Sequence, residues 1–321
     1  MSEKASAIAY PIQGLIKYHG LRDERLRLPF HDSISVCTAP IHTHTTVRFG
    51  QDGDAARIDG MPVPERDMER IKDVIDPMRA EAGVSSGMRM ESRNDFRSNI
   101  GLGASASGFA ALAVAAAAAL GLEISLEEIS RFARRGAGSA ARAVTGGFSR
   151  WYAGTGDLDS ISRSIPYPED LDLAILVALV PAHKFTDAAH KDVLTSPFFK
   201  ARLEYVPTVL DRMEGAIRSG DVREIGRLAE ADTLLLHGIT MTGADEMVLW
   251  RPETVSVILE VQAMRREGIP CYFSIDTGAT VYVNTDRENL PAVRRRVAAL
   301  GLDTLTCSVG GEARTVPDHL F

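Results

Sequence analysis

The sequence predicts an α+β fold, and three observations carry the prediction. Short β-branched and aromatic runs mix with stretches of helical period, without the strand-helix alternation of a parallel α/β sheet. One loop of small residues, Gly101 to Gly108, opens an alanine-rich helix. The chain has 321 residues, 45% hydrophobic and 25% charged, which suits two lobes with enough core to need no disulfide or metal staples.

In chain order, Thr45 to Phe49 and Met88 to Glu91 read as strands, with a helix over Glu65 to Glu81 between them. The longest apolar run, Phe109 to Leu122, is mostly alanine and contains Gly121, so it is a buried helix rather than a membrane span. Ser125 with Glu128 forms a capping-box pattern that starts the next helix, through Phe132. A Gly/Ala/Ser segment, Gly136 to Gly147, precedes Phe148 to Tyr152. Leu171 to Val180, ended by Pro181, is the best candidate for a central strand. From there to His237 the period is helical, with Leu203, Val206, Leu210 and Met213 on one face as core. Cys271 to Ile275 and Val281 to Val283 read as strands around Asp276, followed by a charged helix, Leu290 to Leu300, and a last strand, Thr304 to Cys307.

Composition narrows the function. Asp plus Glu number 43 against 36 Lys plus Arg, a net charge of −7, the wrong sign for a broad nucleic-acid surface. Three cysteines at no metal-ligand spacing predict a reducing cytoplasm. The start, Met1 to Tyr10, lacks an apolar core behind a basic segment, so neither a signal peptide nor a membrane partner is expected.

Four stretches could carry chemistry. Gly101 to Gly108 offers free backbone N–H groups and a positive helix end to phosphate. It lacks the Gly-Lys-Ser/Thr ending of a Walker loop, and Ala106 breaks a strict Gly-x-Gly-x-x-Gly, so a plain tight turn is the alternative. Lys17, between apolar neighbours, is a buried cation for a carboxylate or phosphate, or else a surface lysine. Arg134 to Arg142 mixes arginines with Gly and Ser, as a second anion site or a solvated helix end. Asp276, between a strand and Gly278, is a general base, an orienting group or a turn residue.

Together the four resemble the mevalonate decarboxylase branch of the GHMP kinase superfamily, over nearly the whole chain. Ile16 to Glu24 and Leu28 to Ser35 are similar to its N-terminal signature, and Gly101 to Gly108 to its ATP-phosphate loop. Arg134 to Arg142 with Gly146, Gly147 and Phe148 match its substrate segment, and Asp276 with Gly278 its catalytic Asp-x-Gly.

The resemblance implies a GHMP kinase fold of two lobes, residues 1–180 with the ATP loop and 181–321 with the catalytic Asp, around a cleft for ATP and substrate. It implies that Asp276 faces the tertiary 3-hydroxyl of a mevalonate derivative, and that Lys17 pairs with Asp276 and keeps it ionised. Arg142 would clamp the C1 carboxylate, with Tyr18 and Ser139 also at the substrate. Gly101, Gly103, Ser105, Ala106 and Ser107 would wrap the ATP phosphates, with Ser105 near the transferred group and Mg2+ bridging phosphate oxygens. A homodimer is implied by the resemblance alone. No role follows for His183, His190 or His237.

Departures bear on the substrate. Diphosphate-using members commonly read Lys-Tyr-Trp-Gly-Lys where this chain has Lys17 to Leu21, so one cation is lost at Leu21. They carry Asn-Ile-Ala near Ile12, Gln13 and Gly14, and Ser-Gly-Ser where Ala137, Gly138 and Ser139 stand. Fewer charge-assisted bonds suit fewer phosphates, at roughly 1.5 to 3 kcal/mol each. The expected activity is ATP-dependent decarboxylation of mevalonate 5-phosphate to isopentenyl phosphate, as in archaeal-type pathways. The alternatives are the 5-diphosphate as substrate, a kinase that stops after phosphorylating the 3-hydroxyl, and a catalytically silent relative. Keeping both Lys17 and Asp276 favours decarboxylation.

Overall fold

The computed structural model describes residues 4–96, 102–182 and 186–321. The amino-terminal half runs β1 (Lys4–Ala9), β2 (Ile12–Ile16), β3 (Leu21–Asp23), β4 (Leu28–Pro29), β5 (Ser33–Ala39), β6 (Thr43–Gln51), β7 (Ala55–Ile58) and β8 (Met61–Pro62). Helix α1 (Glu65–Ala82), β9 (Gly87–Asn94), α2 (Ala104–Leu120), α3 (Leu126–Gly136), α4 (Ala140–Thr145), β10 (Phe148–Trp151), β11 (Ser162–Ile165) and β12 (Ala174–Ala178) follow. The rest comprises α5 (Thr186–Asp192), α6 (Phe199–Ser219), α7 (Val222–Met241), α8 (Pro252–Arg266), β13 (Cys271–Ser274), β14 (Val281–Thr285), α9 (Leu290–Ala298), β15 (Thr304–Val309) and β16 (Arg314–Val316).

One sheet has the order β16-β1-β6-β9-β7-β8. Along β6 and β9 the inward positions Val47, Phe49, Met88 and Met90 alternate with outward ones and pack on α2. That helix is buried nearly all round because it is built of alanine, whose small side chains let the sheet and α1, α3 and α4 come close. The expected capping box is present: Ser125 Oγ accepts from the Glu128 N–H at 3.2 Å, and the Ser125 N–H donates to Glu128 at 2.9 Å.

The second sheet follows β11-β10-β5-β15-β12-β14-β13, with β2 also on β5. Strand β12, wholly buried, lies inside this sheet, as its unbroken apolar run predicts. Val206, Leu210 and Met213 of α6 are buried with it, and Leu203 joins a separate small cluster. Residues 304–307 are not the last strand: after Gly310 the chain returns to the first sheet, where β16 pairs with β1. Its short, polar Arg314-Thr315-Val316 carries little strand signal. Among the described residues no helix is long and apolar enough to cross a membrane.

The Arg134-Arg135 pair is a clasp within the fold rather than an anion site. Arg134 is fully buried, ion-paired with Asp157 and donating to the Ser160 carbonyl at 2.8 Å, while Arg135 reaches Asp157 at 2.6 Å. Removing Arg134 takes one of two cations from Asp157 and leaves the Ser160 carbonyl without this donor. Arg134→Met should therefore lower unfolding free energy by about 1 to 3 kcal/mol, read from urea denaturation; an unchanged midpoint would refute the clasp.

Candidate active site

Four separated segments converge on one cavity of about 450 Å³: the end of β2 with residues 17 and 18 beyond it, the N-terminus of α2, the start of α4, and the loop after β13. The pleat of β2 turns Ile12 and Gly14 to this cavity. It turns Gln13 away, fully buried on the other side, so Gln13 is not among the groups that meet a ligand there. Leu21 lines an adjoining hollow of about 190 Å³ with Arg27, Asp187 and His190, whereas Ala137 lines the main cavity.

Gly14 lets the two charged groups meet. Its N–H donates to Asp276 Oδ1 at 3.1 Å, and a Cβ there would stand 2.8 Å from both Asp276 Oδ1 and Lys17 Cγ. Its carbonyl accepts from Ser274 Oγ at 3.1 Å. The buried Lys17 ammonium donates to Thr233 Oγ1 at 3.0 Å and Ser274 Oγ at 2.9 Å, and lies 3.9 Å from Asp232 Oδ2. Burial lowers its pKa, opposed first by Asp232 and then by Asp276. Asp232 thus stands beside Asp276 as a second carboxylate acting on the Lys17 ammonium.

Arg142, on α4, is buried at 2% exposure, and its Nε and Nη1 have no hydrogen-bond partner. Its guanidinium lies 5.5 Å from the centre of the Tyr18 ring, which is packed edge-on against Trp151 and stacked on His190. Burial depresses the Arg142 pKa, with Tyr18 and Asp276 opposing. A desolvated cation with unused donors fits a carboxylate. Ser139, just before α4, lines the same cavity.

The α2 entrance is a left-handed Gly103, φ 75°, with no side-chain cap. Gly103, Ser105 and Ala106 line the cavity at the positive end of α2; the Ala106 N–H itself donates to the Gly103 carbonyl at 2.8 Å. Ser107 does not join them: it is fully buried, its hydroxyl 2.7 Å from Thr43 Oγ1, on the side of α2 that packs on the first sheet. Gly101 and His183 lie outside the described residues.

Sequence reasoning missed Asp232, Thr233 and Ser274 behind Lys17, and three arginines on the cavity wall. Arg66 and Arg70 are four apart on α1, and Arg27 precedes β4; that spacing was the available signal. Arg70 also donates to the Gly136 carbonyl at 2.6 Å, and Arg27 lies 3.4 Å from Asp187. Among the described residues no group of three His, Cys, Asp or Glu is gathered as a metal site.

Four buried histidines surround this region. Burial holds His31 and His190 down to about 4, His237 to about 3, and His19 well below its ordinary value. Below the unfolded value of about 6.5 the unfolded chain binds more protons. Stability is therefore present above pH ~6.5 and is lost as pH falls toward ~4, by up to about 1.4 kcal/mol per pH unit for each histidine. Urea midpoints should drop steeply across that window; a flat profile would refute neutral burial.

Residues 9–162 match the family model described as diphosphomevalonate decarboxylase-like N-terminal domain. The chain is 48% identical, over 98% of both lengths, to a phosphomevalonate decarboxylase of Haloferax volcanii. It is similar, at 31% identity, TM-score 0.90 and 98% of both chains, to mevalonate diphosphate decarboxylase from Enterococcus faecalis. A further similar structure, at 31% identity, TM-score 0.91 and 98% of both chains, is MDDEF in complex with MVAPP, AMPPCP and magnesium.

Proposed function

The chain belongs to the diphosphomevalonate decarboxylase-like family, and from that membership we propose that it is an ATP-dependent decarboxylase converting mevalonate 5-phosphate to isopentenyl phosphate. The observation that carries the monophosphate reading is the 48% identity over 98% of the chain to a phosphomevalonate decarboxylase. Identity to the diphosphomevalonate decarboxylases of Ganoderma lucidum and Homo sapiens is 28% and 32%. Leu21 and Ala137, where the diphosphate users carry a cation and a serine, support the same choice.

The chemistry follows from the leaving group. A tertiary hydroxyl departs poorly, so the terminal phosphoryl of ATP is first transferred to it. The phosphate then leaves with the C3–O electron pair, and the cationic character at C3 draws electrons from the C1–C2 bond as carbon dioxide departs. ATP and substrate become ADP, inorganic phosphate, carbon dioxide and isopentenyl phosphate.

In this reading Asp276 takes the proton of the 3-hydroxyl or orients it, with Lys17 favouring its anion. Arg142, which lines the cavity, receives the C1 carboxylate on its guanidinium, beside Tyr18 and Ser139. Gly103, Ser105 and Ala106 hold the ATP phosphates with the N–H groups of the α2 entrance; Gly101 adjoins them in sequence. Arg27, Arg66 and Arg70 meet the 5-phosphate. Magnesium, when bound with ATP held at Gly103, Ser105 and Ala106, would supply charge neutralisation at the phosphates. Positioning and charge stabilisation carry the rate. The buried free thiols Cys37, Cys271 and Cys307 suit a cytoplasmic protein, and the homodimer carries over from the family resemblance.

The three cavity arginines favour a second reading, the 5-diphosphate as substrate. Parallel assays with ATP and magnesium on mevalonate, its 5-phosphate and its 5-diphosphate separate the two, with ADP, phosphate and carbon dioxide recorded. Equal release of all three, most efficient on the 5-phosphate, is expected. Higher efficiency on the 5-diphosphate would overturn the monophosphate choice; ADP without carbon dioxide would leave a kinase.

A further inference from the structure

We propose that Asp232 is the positioning residue for Lys17: with Arg202 it fixes the lysine's peptide and supplies the counter-charge to its ammonium, and so governs how Lys17 acts on Asp276. This role rests on the function proposed above.

Both residues are deeply buried, Asp232 at 1% and Arg202 at 3% exposure, and neither lines the cavity. Asp232 Oδ2 accepts the backbone N–H of Lys17 at 2.9 Å, and Arg202 Nη2 donates to the Lys17 carbonyl at 2.7 Å. The same Nη2 donates to Asp232 Oδ1 at 2.9 Å. One carboxylate and one guanidinium, from α7 and α6, thus hold residue 17 by both of its backbone polar groups. The residue gripped is the one whose ammonium the same carboxylate faces, at 3.9 Å.

The charges fit the same role. Lys17 faces Asp232 from α7, Asp276 from the loop after β13, Arg202 from α6 and Arg142 from α4, with His237 of α7 also in its field. Three cations against two carboxylates leave one positive charge, which the substrate carboxylate neutralises on binding. Without Asp232 that excess doubles, and the desolvated ammonium is the group able to shed a proton. Loss of that proton would remove the charge that favours the Asp276 anion.

The test is the pH dependence of kcat for ATP-dependent carbon dioxide release, with whichever mevalonate phosphate the wild type turns over. Asp232→Asn keeps an acceptor for the Lys17 N–H but removes the charge, so the alkaline limb should move down by about one pH unit or more. Arg202→Gln removes an opposing cation and should move the limb up. A purely structural role would lower activity evenly at all pH values and leave both limbs in place, which would overturn the proposal. If Asp232→Asn does not fold, as judged by circular dichroism, the Arg202→Gln limb decides. No release by the wild type from either phosphate would overturn the functional reading itself; release with unmoved limbs would overturn this inference alone.

Discussion

Asp276→Asn should abolish turnover while leaving ATP binding within about threefold of wild type. Asparagine keeps the size of the side chain and an oxygen that can accept the Gly14 N–H, now 3.1 Å from Oδ1. It removes the negative charge and the ability to take a proton. A positioned general base is worth about 10² to 10⁴ in rate, and the charge also draws the substrate hydroxyl into line, so a fall of at least about 10³ in kcat is expected. Asp276→Glu should not rescue it, because the longer side chain carries the carboxylate off the Gly14 N–H that now fixes it at 3.1 Å. Single-turnover carbon dioxide release and nucleotide titration measure the two quantities separately. Turnover within tenfold of wild type would refute the role given to Asp276.

What the sequence revealed was chemistry that acts locally. The Ser125/Glu128 cap, the alanine helix and the buried strand before Pro181 each follow from a few neighbouring residues, and each is present. Helix α8 is hard to read, because Val255, Val257, Ile258 and Val261 are β-branched and mimic strand residues. The strands β1, β2 and β5 are hidden by interleaved Ser, Thr and Gly, which break an apolar-polar alternation. Without β2 the pleat is unknown, so the sequence does not tell that Gln13 faces away while Ile12 and Gly14 line the cavity. Ser107 is misjudged for a related reason: neighbours in a helical turn point to different sides, and loop composition does not say which. Asp232 is beyond reach altogether, lying 215 residues from the Lys17 it contacts. Local chemistry is legible; partners brought together by tertiary packing are not.

Arg142→Met should separate catalysis from folding in the opposite direction to most core mutations. Two of the donor atoms of this buried guanidinium have no partner, and burial already depresses its pKa. A desolvated, incompletely bonded cation opposes folding, and an apolar side chain of similar length relieves that cost. The melting temperature of the variant should therefore hold or rise. Function should move the other way. Two charge-assisted hydrogen bonds to the substrate carboxylate, at roughly 1.5 to 3 kcal/mol each, correspond to about 10² to 10⁴ in kcat/KM. Arg142→Lys keeps the charge but not the planar pair of donors, so its kcat/KM should fall between those of Met and wild type. Affinity for ATP should be unchanged in both variants. A melting temperature several degrees lower, with kcat/KM within tenfold of wild type, would make Arg142 a structural residue and leave the carboxylate without its clamp. A stable, ATP-binding, inactive Met variant would instead show that this cation is held unsatisfied in the folded protein because the substrate completes it.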